Sequence, residues 1–212
     1  QMANLAIDFP DGNGGTEHTD SKPNLGLRGG LVADFGITDN ISFQPALLFV
    51  MKGAREEVDE SETTFGITIK STYQSKINLN YIQIPLNFQY HLNDDKTGFF
   101  VGAGPYIAYA FAGKYAIDGQ FEISGAGFPT QTTTVKEDID VEFGDEEGDM
   151  FKNLDLGVGL NAGYMLPMGV FVRAFGEYGF SNILPEFYAS QDGKTRNYGF
   201  GLTVGYMIGG GK

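Results

Sequence analysis

Large apolar residues alternate with small or polar residues in eight segments of the chain. The most regular segment runs from Asn24 to Gly36. Its odd positions are Leu25, Leu27, Gly29, Leu31, Ala33 and Phe35. A period of two is that of a β-strand with two unlike faces. Segments of about ten to fourteen residues are longer than most soluble strands and match a tilted membrane-spanning strand. The pattern therefore predicts a protein that crosses a membrane with strands.

The other seven segments show the same alternation, and across the set the second face is rich in glycine and other small or polar residues. They lie at about 3–9, 41–52, 73–91, 98–111, 154–164, 170–180 and 198–208. The phase of the alternation changes once within 73–91, and a β-bulge near Asn80 would restore it. A glycine-rich face suits the crowded interior of a narrow barrel. On a solvent-exposed face the same glycines would only weaken the strands.

The segments between the predicted strands alternate between long and short. Long loops are predicted at about 10–23, 53–72, 113–152 and 184–195. Such a rhythm is typical of up-and-down barrels with long loops outside the cell and short turns in the periplasm. We therefore predict a single all-β domain over residues 1–212, an eight-stranded antiparallel up-and-down transmembrane β-barrel with long extracellular loops and both termini periplasmic. Within the longest loop, Tyr115–Ile123 and Thr132–Phe143 are predicted to form a hairpin.

The amino-acid composition argues against two alternatives, a helical membrane protein and a soluble barrel. The chain has 31 Gly, 18 Phe and 11 Tyr but neither Trp nor Cys, and no apolar run approaches the ~18 residues of a spanning helix. The alternative is a soluble lipocalin-like barrel, but such proteins usually carry an early Gly-x-Trp motif and disulfides. The abrupt start at Gln1 suggests a processed, trimmed or partly covered protein.

The net charge of −13 argues against nucleic acid as a partner, because phosphate binding requires clustered Lys and Arg. The acidic residues are concentrated in 56–62 and 137–149, both predicted as loops. Within the second run, the candidate calcium ligands are Asp145, Glu146, Glu147 and Asp149. Their spacing departs from that of a dedicated calcium loop, which favours a solvated, cation-screened loop. A docking surface for a basic partner is the third interpretation.

Charged residues on the predicted interior face form a second candidate set. They are Arg28, Asp34, Asp155, Arg173 and Glu177. Charges inside a narrow barrel are expected to be paired, because isolated ones are costly to desolvate. We interpret the set as a salt-bridged plug rather than an ion path. His18 and His91 are expected at the surface, at opposite ends of the barrel, so we predict no catalytic site, no cofactor site and no metal cluster built on histidine.

Seven short motifs occur in order along the chain and together resemble a known family. They are Gly26–Gly30, Gln44–Leu48 with Lys52-Gly53, Asn80–Pro85, Gly102–Tyr106, Asp155–Gly159, Tyr178–Asn182 and Gly205-Tyr206. The family is the PorT-type outer-membrane β-barrel family of Bacteroidota, which carries the outer membrane protein beta-barrel domain. Two departures stand out: the final aromatic residue is absent, and the first strand looks clipped. Pro45, Pro85 and Pro105, unusual within strands, recur in the resembling family.

The resemblance implies an eight-stranded barrel in the outer membrane, exported with a cleaved signal peptide. We predict a non-enzymatic accessory or structural subunit of a larger outer-membrane assembly for secretion, uptake or protein insertion. The alternative is a stand-alone surface-binding or adhesin-like barrel that acts through its long acidic loops. A membrane enzyme is disfavoured because no His stands in register with a Ser. Expected partners are outer-membrane lipid, lipopolysaccharide and other outer-membrane proteins, with divalent cations possible at the acidic loops.

Overall fold

A computed structural model describes residues 1–10, 16–125, 127–189 and 193–208. The strands are β1 (Met2–Pro10), β2 (Thr16–Asp20), β3 (Lys22–Leu25), β4 (Arg28–Val32), β5 (Phe35–Gly36), β6 (Ile41–Thr64), β7 (Ile67–His91), β8 (Gly98–Gly125), β9 (Phe128–Asp140), β10 (Leu154–Met165), β11 (Val170–Gly179) and β12 (Lys194–Tyr206). One short helix, α1, spans Glu186–Ala189. Within the described ranges, no helix is long and apolar enough to cross a membrane.

The strands close into an antiparallel ring with eight positions, which confirms the predicted fold class. The ring runs β1, then β3 to β5 as one interrupted strand, then β6, β7, β8, β10, β11 and β12, which pairs with β1 again. The predicted strand from Asn24 to Gly36 is broken twice. The ladder nevertheless continues, because Met51 N donates to Leu27 O at 2.8 Å and Ala33 N donates to Pro45 O at 3.0 Å.

The first strand of the ring, β1, pairs with β3 on one side and with β12 on the other, and Met2 lies opposite both Leu25 and Phe200. β4 and β5 pair with β6 and continue this part of the ring toward the short connections.

The two faces of the barrel differ as the alternation predicts. Outward-facing residues such as Leu160 and Leu202 are 65% and 72% exposed and form an apolar belt. Inward-facing glycines make room for aromatic rings. A Cβ on Gly163 would lie 2.4 Å from the Phe100 ring, and one on Gly205 would lie 2.3 Å from the Phe171 ring. Glycine at these positions therefore lets large rings fill the lumen.

The predicted loops at 53–72 and 113–152 are mostly strand. β6 continues to Thr64, turns at Phe65 and Gly66 with positive φ angles of 53° and 79°, and returns as β7. β8 continues to Gly125 and pairs with β9, which confirms the predicted hairpin through Tyr115↔Ile139 and Ile123↔Gln131. The prediction of loops is wrong here, because a high content of polar residues does not distinguish a solvated strand from a loop. Strands that leave the barrel stand in water, and both of their faces can carry polar residues.

Beyond the barrel, these four strands form a sheet that we call the extension. It comprises 55–64 of β6, 67–77 of β7, 114–125 of β8 and 128–140 of β9. The opposite end of the barrel, which we call the turn end, carries the short connections at 37–40, 92–97 and 166–169.

The structure also bears on three smaller predictions. A register shift occurs at the predicted place, between Asn80 and Tyr81, but the extra residue is Phe111 on β8, and β7 keeps one phase, with Leu79 and Tyr81 both buried. The predicted loop at 10–23 contains β2, which pairs with β1, and β3, while residues 11–15 lie outside the described part. The last strand begins at Lys194 rather than near 198, and α1 occupies part of the predicted loop 184–195. The extent of the domain, 1–212, stays a prediction.

Candidate functional site

A buried ion pair closes the lumen near the extension. Lys52 Nζ lies 2.8 Å from Asp155 Oδ2, and the two side chains are 6% and 0% exposed. Asp155 also accepts hydrogen bonds from Asn197 Nδ2 at 3.0 Å, Ser181 Oγ at 3.2 Å and Tyr106 OH at 3.3 Å. The carboxylate is thus surrounded by donors, as a buried charge requires.

An apolar cluster surrounds this pair and blocks the lumen. It includes the fully buried side chains of Leu79, Tyr81 and Ile183, with Val141 and Phe151 from the segment that follows β9. The Lys52 ammonium lies 4.4 Å from the centroid of the Tyr106 ring, within the range of a cation–π contact. This end of the barrel is therefore a packed plug.

A second ion pair lies further along the lumen. Arg28 Nη1 is 2.6 Å from Glu177 Oε1, and both side chains are about nine-tenths buried, at 11% and 9% exposure. The same carboxylate oxygen accepts a hydrogen bond from Gln83 Nε2 at 3.0 Å. The Arg28 guanidinium lies 4.2 Å from the centroid of the Phe175 ring.

The third group lies at the turn end. Asp34 Oδ1 is 3.1 Å from Lys96 Nζ, and its Oδ2 accepts hydrogen bonds from Ser42 Oγ at 2.9 Å and from Gln44 Nε2. Arg173 Nη2 donates to Gln44 Oε1 at 2.7 Å, so Gln44 bridges Arg173 and Asp34. All five charged residues selected from the sequence therefore face the lumen, distributed over three groups.

Two cations in these groups were missed by the sequence reasoning. Lys52 occupies an inward position of the alternating strand 41–52, so the period of two could have identified it as a lumen charge. Lys96 belongs to the turn before β8, where no alternation indicates direction. Only the tertiary structure shows that its side chain reaches back to Asp34.

The expectation that His91 lies at the surface is wrong. His91 is 1% exposed, because it takes the last inward position of β7 and its ring lies 5.7 Å from that of Phe100. Its Nε2 is 3.4 Å from Ser42 Oγ. The side chain of His18 lies outside the described part of the molecule.

The acidic segment after β9 is a tight loop with its own internal contacts. Asp149 Oδ2 accepts a hydrogen bond from Glu146 N at 2.8 Å, and Asp145 Oδ1 lies 2.9 Å from Lys152 Nζ. The hydrogen bond from Lys152 lowers the pKa of the Asp145 carboxyl from its ordinary value. Within the described residues, no group of three or more His, Asp or Glu side chains is arranged to hold a metal ion.

The sequence model of the outer membrane protein beta-barrel domain matches residues 2–185, most of the closed ring. The chain belongs to this family. No curated protein and no solved structure matches it. As a member of the outer membrane protein beta-barrel domain family, it is an integral outer-membrane protein.

The chemistry available in the lumen is that of charge pairing. The three ion pairs are Lys52–Asp155, Arg28–Glu177 and Lys96–Asp34, and each is tied to a different set of strands. Removing one member of such a pair leaves an uncompensated buried charge, which is strongly destabilising.

Proposed function

We propose that this barrel is a non-enzymatic accessory or structural subunit of a larger outer-membrane assembly, of the secretion, uptake or protein-insertion kind. The observation that supports the proposal is the extension, whose two faces differ in chemistry. We further propose that the barrel is of the PorT type found in Bacteroidota. In this proposal the extension is extracellular, both termini are periplasmic, and the belt contacts lipid and lipopolysaccharide.

One face of the extension continues the inner face of the barrel, and we call it the inner face. Cross-strand pairing places Ile69 beside Ile123 on this face. Ile67, Ile69, Phe121 and Ile123 are between 38% and 48% exposed, although each belongs to a regular ladder. Nearer the barrel, the same face is covered by Tyr115 and by the apolar cluster at the barrel mouth. The distal half of the inner face is thus apolar and accessible.

Charge is also segregated between the two faces of the extension. In the pairing register, the inner face carries Glu56, Glu60, Glu62 and Glu137 and, within the described strands, no Lys or Arg. The cations all lie on the outer face: Arg55, Lys70, Lys76, Lys114 and Lys136. The outer face also carries carboxylates, including Asp118 opposite Lys136.

An apolar surface bordered only by carboxylates matches a partner that presents apolar side chains together with Lys or Arg. Apolar contact supplies binding free energy, while opposite charge steers the encounter and selects the partner. The outer face, with its mixed charges, has the character of an ordinary solvated surface. We therefore place the contact with the rest of the assembly on the inner face.

The test is site-specific photo-cross-linking in native outer membranes. A photoreactive residue at Phe121 is expected to cross-link to another outer-membrane protein, which also co-elutes stoichiometrically in mild detergent. The same residue at Gln120, the next position on β8 but on the outer face, is the matched control. Phe121→Asp is expected to abolish co-elution and Gln120→Asp to leave it unchanged, with heat-modifiable gel mobility showing that both barrels are folded.

Failure to cross-link and to co-elute would favour the alternative function, a stand-alone surface-binding barrel. If the barrel elutes alone and neither position cross-links to a membrane protein, the accessory role is contradicted. Binding of the purified barrel to an external ligand or cell surface, lost in Phe121→Asp, would then identify the extension as a recognition element.

A further inference from the structure

The turn-end half of the lumen contains a large cavity of about 1420 Å³. Its wall includes Arg28, Arg173, Glu177 and Asn161, with the rings of Phe171 and Phe175. Leu31 of β4 and Val204 of β12 also line it. Its volume is large enough for a small-molecule ligand.

Inside the exposed mouth of the cavity, the cations of the lumen outnumber its carboxylates by one. Among the described residues, four cations reach the interior, namely Arg28, Lys52, Lys96 and Arg173, whereas the buried carboxylates are Asp34, Asp155 and Glu177. The three carboxylates each pair with one of the first three cations. Arg173 therefore stands as the cation without an ion pair in the described part of the barrel.

Asp34 does not compensate Arg173 directly. Its two oxygens are engaged by Lys96, Ser42 and Gln44, and Gln44 alone stands between Asp34 and the guanidinium. Gln44 is 2% exposed and held by both partners, so its carbonyl oxygen is fixed as the single protein acceptor shown for Arg173. Arg has five N–H donors, and most of them are left for another acceptor.

Unpartnered polar atoms gather around the same cavity. They include Arg173 Nε, Asn161 Oδ1 and His91 Nδ1, all buried on residues of the cavity wall. The Phe100 and Phe171 rings hold the guanidinium from the sides, with centroids 5.3 Å and 5.1 Å from its central carbon. The arrangement leaves the guanidinium rigid, incompletely hydrogen-bonded and adjacent to open space.

We propose that Arg173 is the centre of an anion-binding site that takes a carboxylate or phosphate group of a small molecule. The planar fork of Arg matches the geometry of both groups, and low polarity strengthens such pairs. Phe171 and Phe175 offer an apolar surface to the remainder of the ligand. Glu177 does not repel the anion as a free charge would, because Arg28 neutralises it at 2.6 Å. The carboxylates of Asp39, Asp94 and Asp95 stand exposed at the cavity mouth and favour a ligand of low total charge.

Two sources could supply the anion. One is a free metabolite that enters from the turn end, and the other is the phosphate of a lipid headgroup. The chemistry recognised by Arg173 is the same in both cases, so the experiment uses one arm for each source.

The first arm titrates the full chain in a non-ionic detergent with inorganic phosphate and, separately, with acetate, at constant ionic strength. Saturable binding is expected by calorimetry, and Arg173→Gln is expected to weaken it at least tenfold. Arg55→Gln, which removes a cation from the outer face of the extension, is the matched control and is expected to bind as the unaltered protein does. Equal binding by all three proteins, or no saturable binding to either probe, would overturn the proposal.

The second arm repeats the phosphate titration in mixed micelles that contain phosphatidylglycerol. Competition by this lipid in the unaltered protein, absent in Arg173→Gln, identifies a lipid headgroup as the source. Saturable phosphate binding without such competition identifies a free anion, and either result supports the site. Should Arg173→Gln fail to fold, Arg173→Lys keeps the charge but loses the fork, and it is expected to bind phosphate at least fivefold more weakly. Two results together would refute the assignment: unchanged phosphate binding by Arg173→Lys, and an Arg173 Nε–H NMR signal of the unaltered protein that does not change on phosphate addition.

Discussion

The pair of Lys52 and Asp155 offers the sharpest test of how the lumen is held together. The change is Lys52→Met, which keeps the length and apolar stem of the side chain while removing its charge. Asp155 is 0% exposed and would lose its ionic partner at 2.8 Å. Its three neutral donors, Tyr106, Ser181 and Asn197, would remain.

The expected magnitude follows from that geometry. Removing one member of a buried ion pair costs about 3–5 kcal/mol in the free energy of unfolding, because the other charge stays buried. Three remaining hydrogen bonds compensate part of this, so we expect a loss of about 3 kcal/mol, at the lower end of the range. Asp155→Asn in the Lys52→Met background removes the uncompensated charge. The double variant should recover about 2 kcal/mol of that loss, which is the coupling typical of residues in one network.

The measurement is urea unfolding in phospholipid vesicles, followed by far-ultraviolet circular dichroism. Lys22→Met is the matched control, since Lys22 also pairs with a carboxylate, Glu57, at 2.9 Å, but its side chain is 52% exposed. It should leave the unfolding midpoint unchanged, because solvent screens exposed pairs. A Lys52→Met protein as stable as the control, or a double variant less stable than Lys52→Met, would refute the reasoning.

Three further predictions concern the wall and the loops. Gly104→Ala should destabilise the barrel by about 1–3 kcal/mol through overpacking, since its Cβ would lie 2.1 Å from Leu86 O. Gly176→Ala is the control, because nothing lies within 4 Å of the new Cβ, and urea unfolding should show no loss of stability. Leu160→Lys on the lipid-facing belt should cost about 2–4 kcal/mol if it lies near the bilayer midplane, whereas Thr134→Lys on the extension should cost nothing measurable in the same assay. Calcium at millimolar concentration should leave the thermal unfolding temperature unchanged, because the side-chain oxygens of Asp149 and Asp145 already have partners; a saturable rise lost in Asp149→Ala would contradict this.

The eight-stranded ring could be predicted from the sequence because a barrel in lipid imposes a strict period of two. Each strand must present apolar side chains to lipid and small ones to the lumen, so the pattern survives without any knowledge of the neighbours. The same period also indicated an irregularity near Asn80, although the extra residue, Phe111, lies on the neighbouring strand. It identified the interior charges, since Arg28, Asp34, Asp155, Arg173 and Glu177 all fall on the glycine-rich face.

The strands of the extension could not be predicted in this way. Both faces of a strand outside the membrane can contact water, so the two faces need not differ in polarity as they do in the barrel. The strands at 55–64 and 67–77 carry polar residues on both faces, and local polarity then resembles that of a loop. Burial of His91 likewise depends on Phe100 and Ser42, which come from other strands.

What the sequence alone determined is therefore the set of spanning strands and the direction of their side chains. Which charges meet was decided only by the tertiary structure. Lys52 and Asp155 are 103 positions apart, and Lys96 reaches Asp34 from a turn. Ring closure and the tilt of the strands bring these groups together, and neither is encoded in the local alternation of residues. Among the described residues, Arg173 has no carboxylate partner, whereas Asp34, Asp155 and Glu177 each pair with another cation.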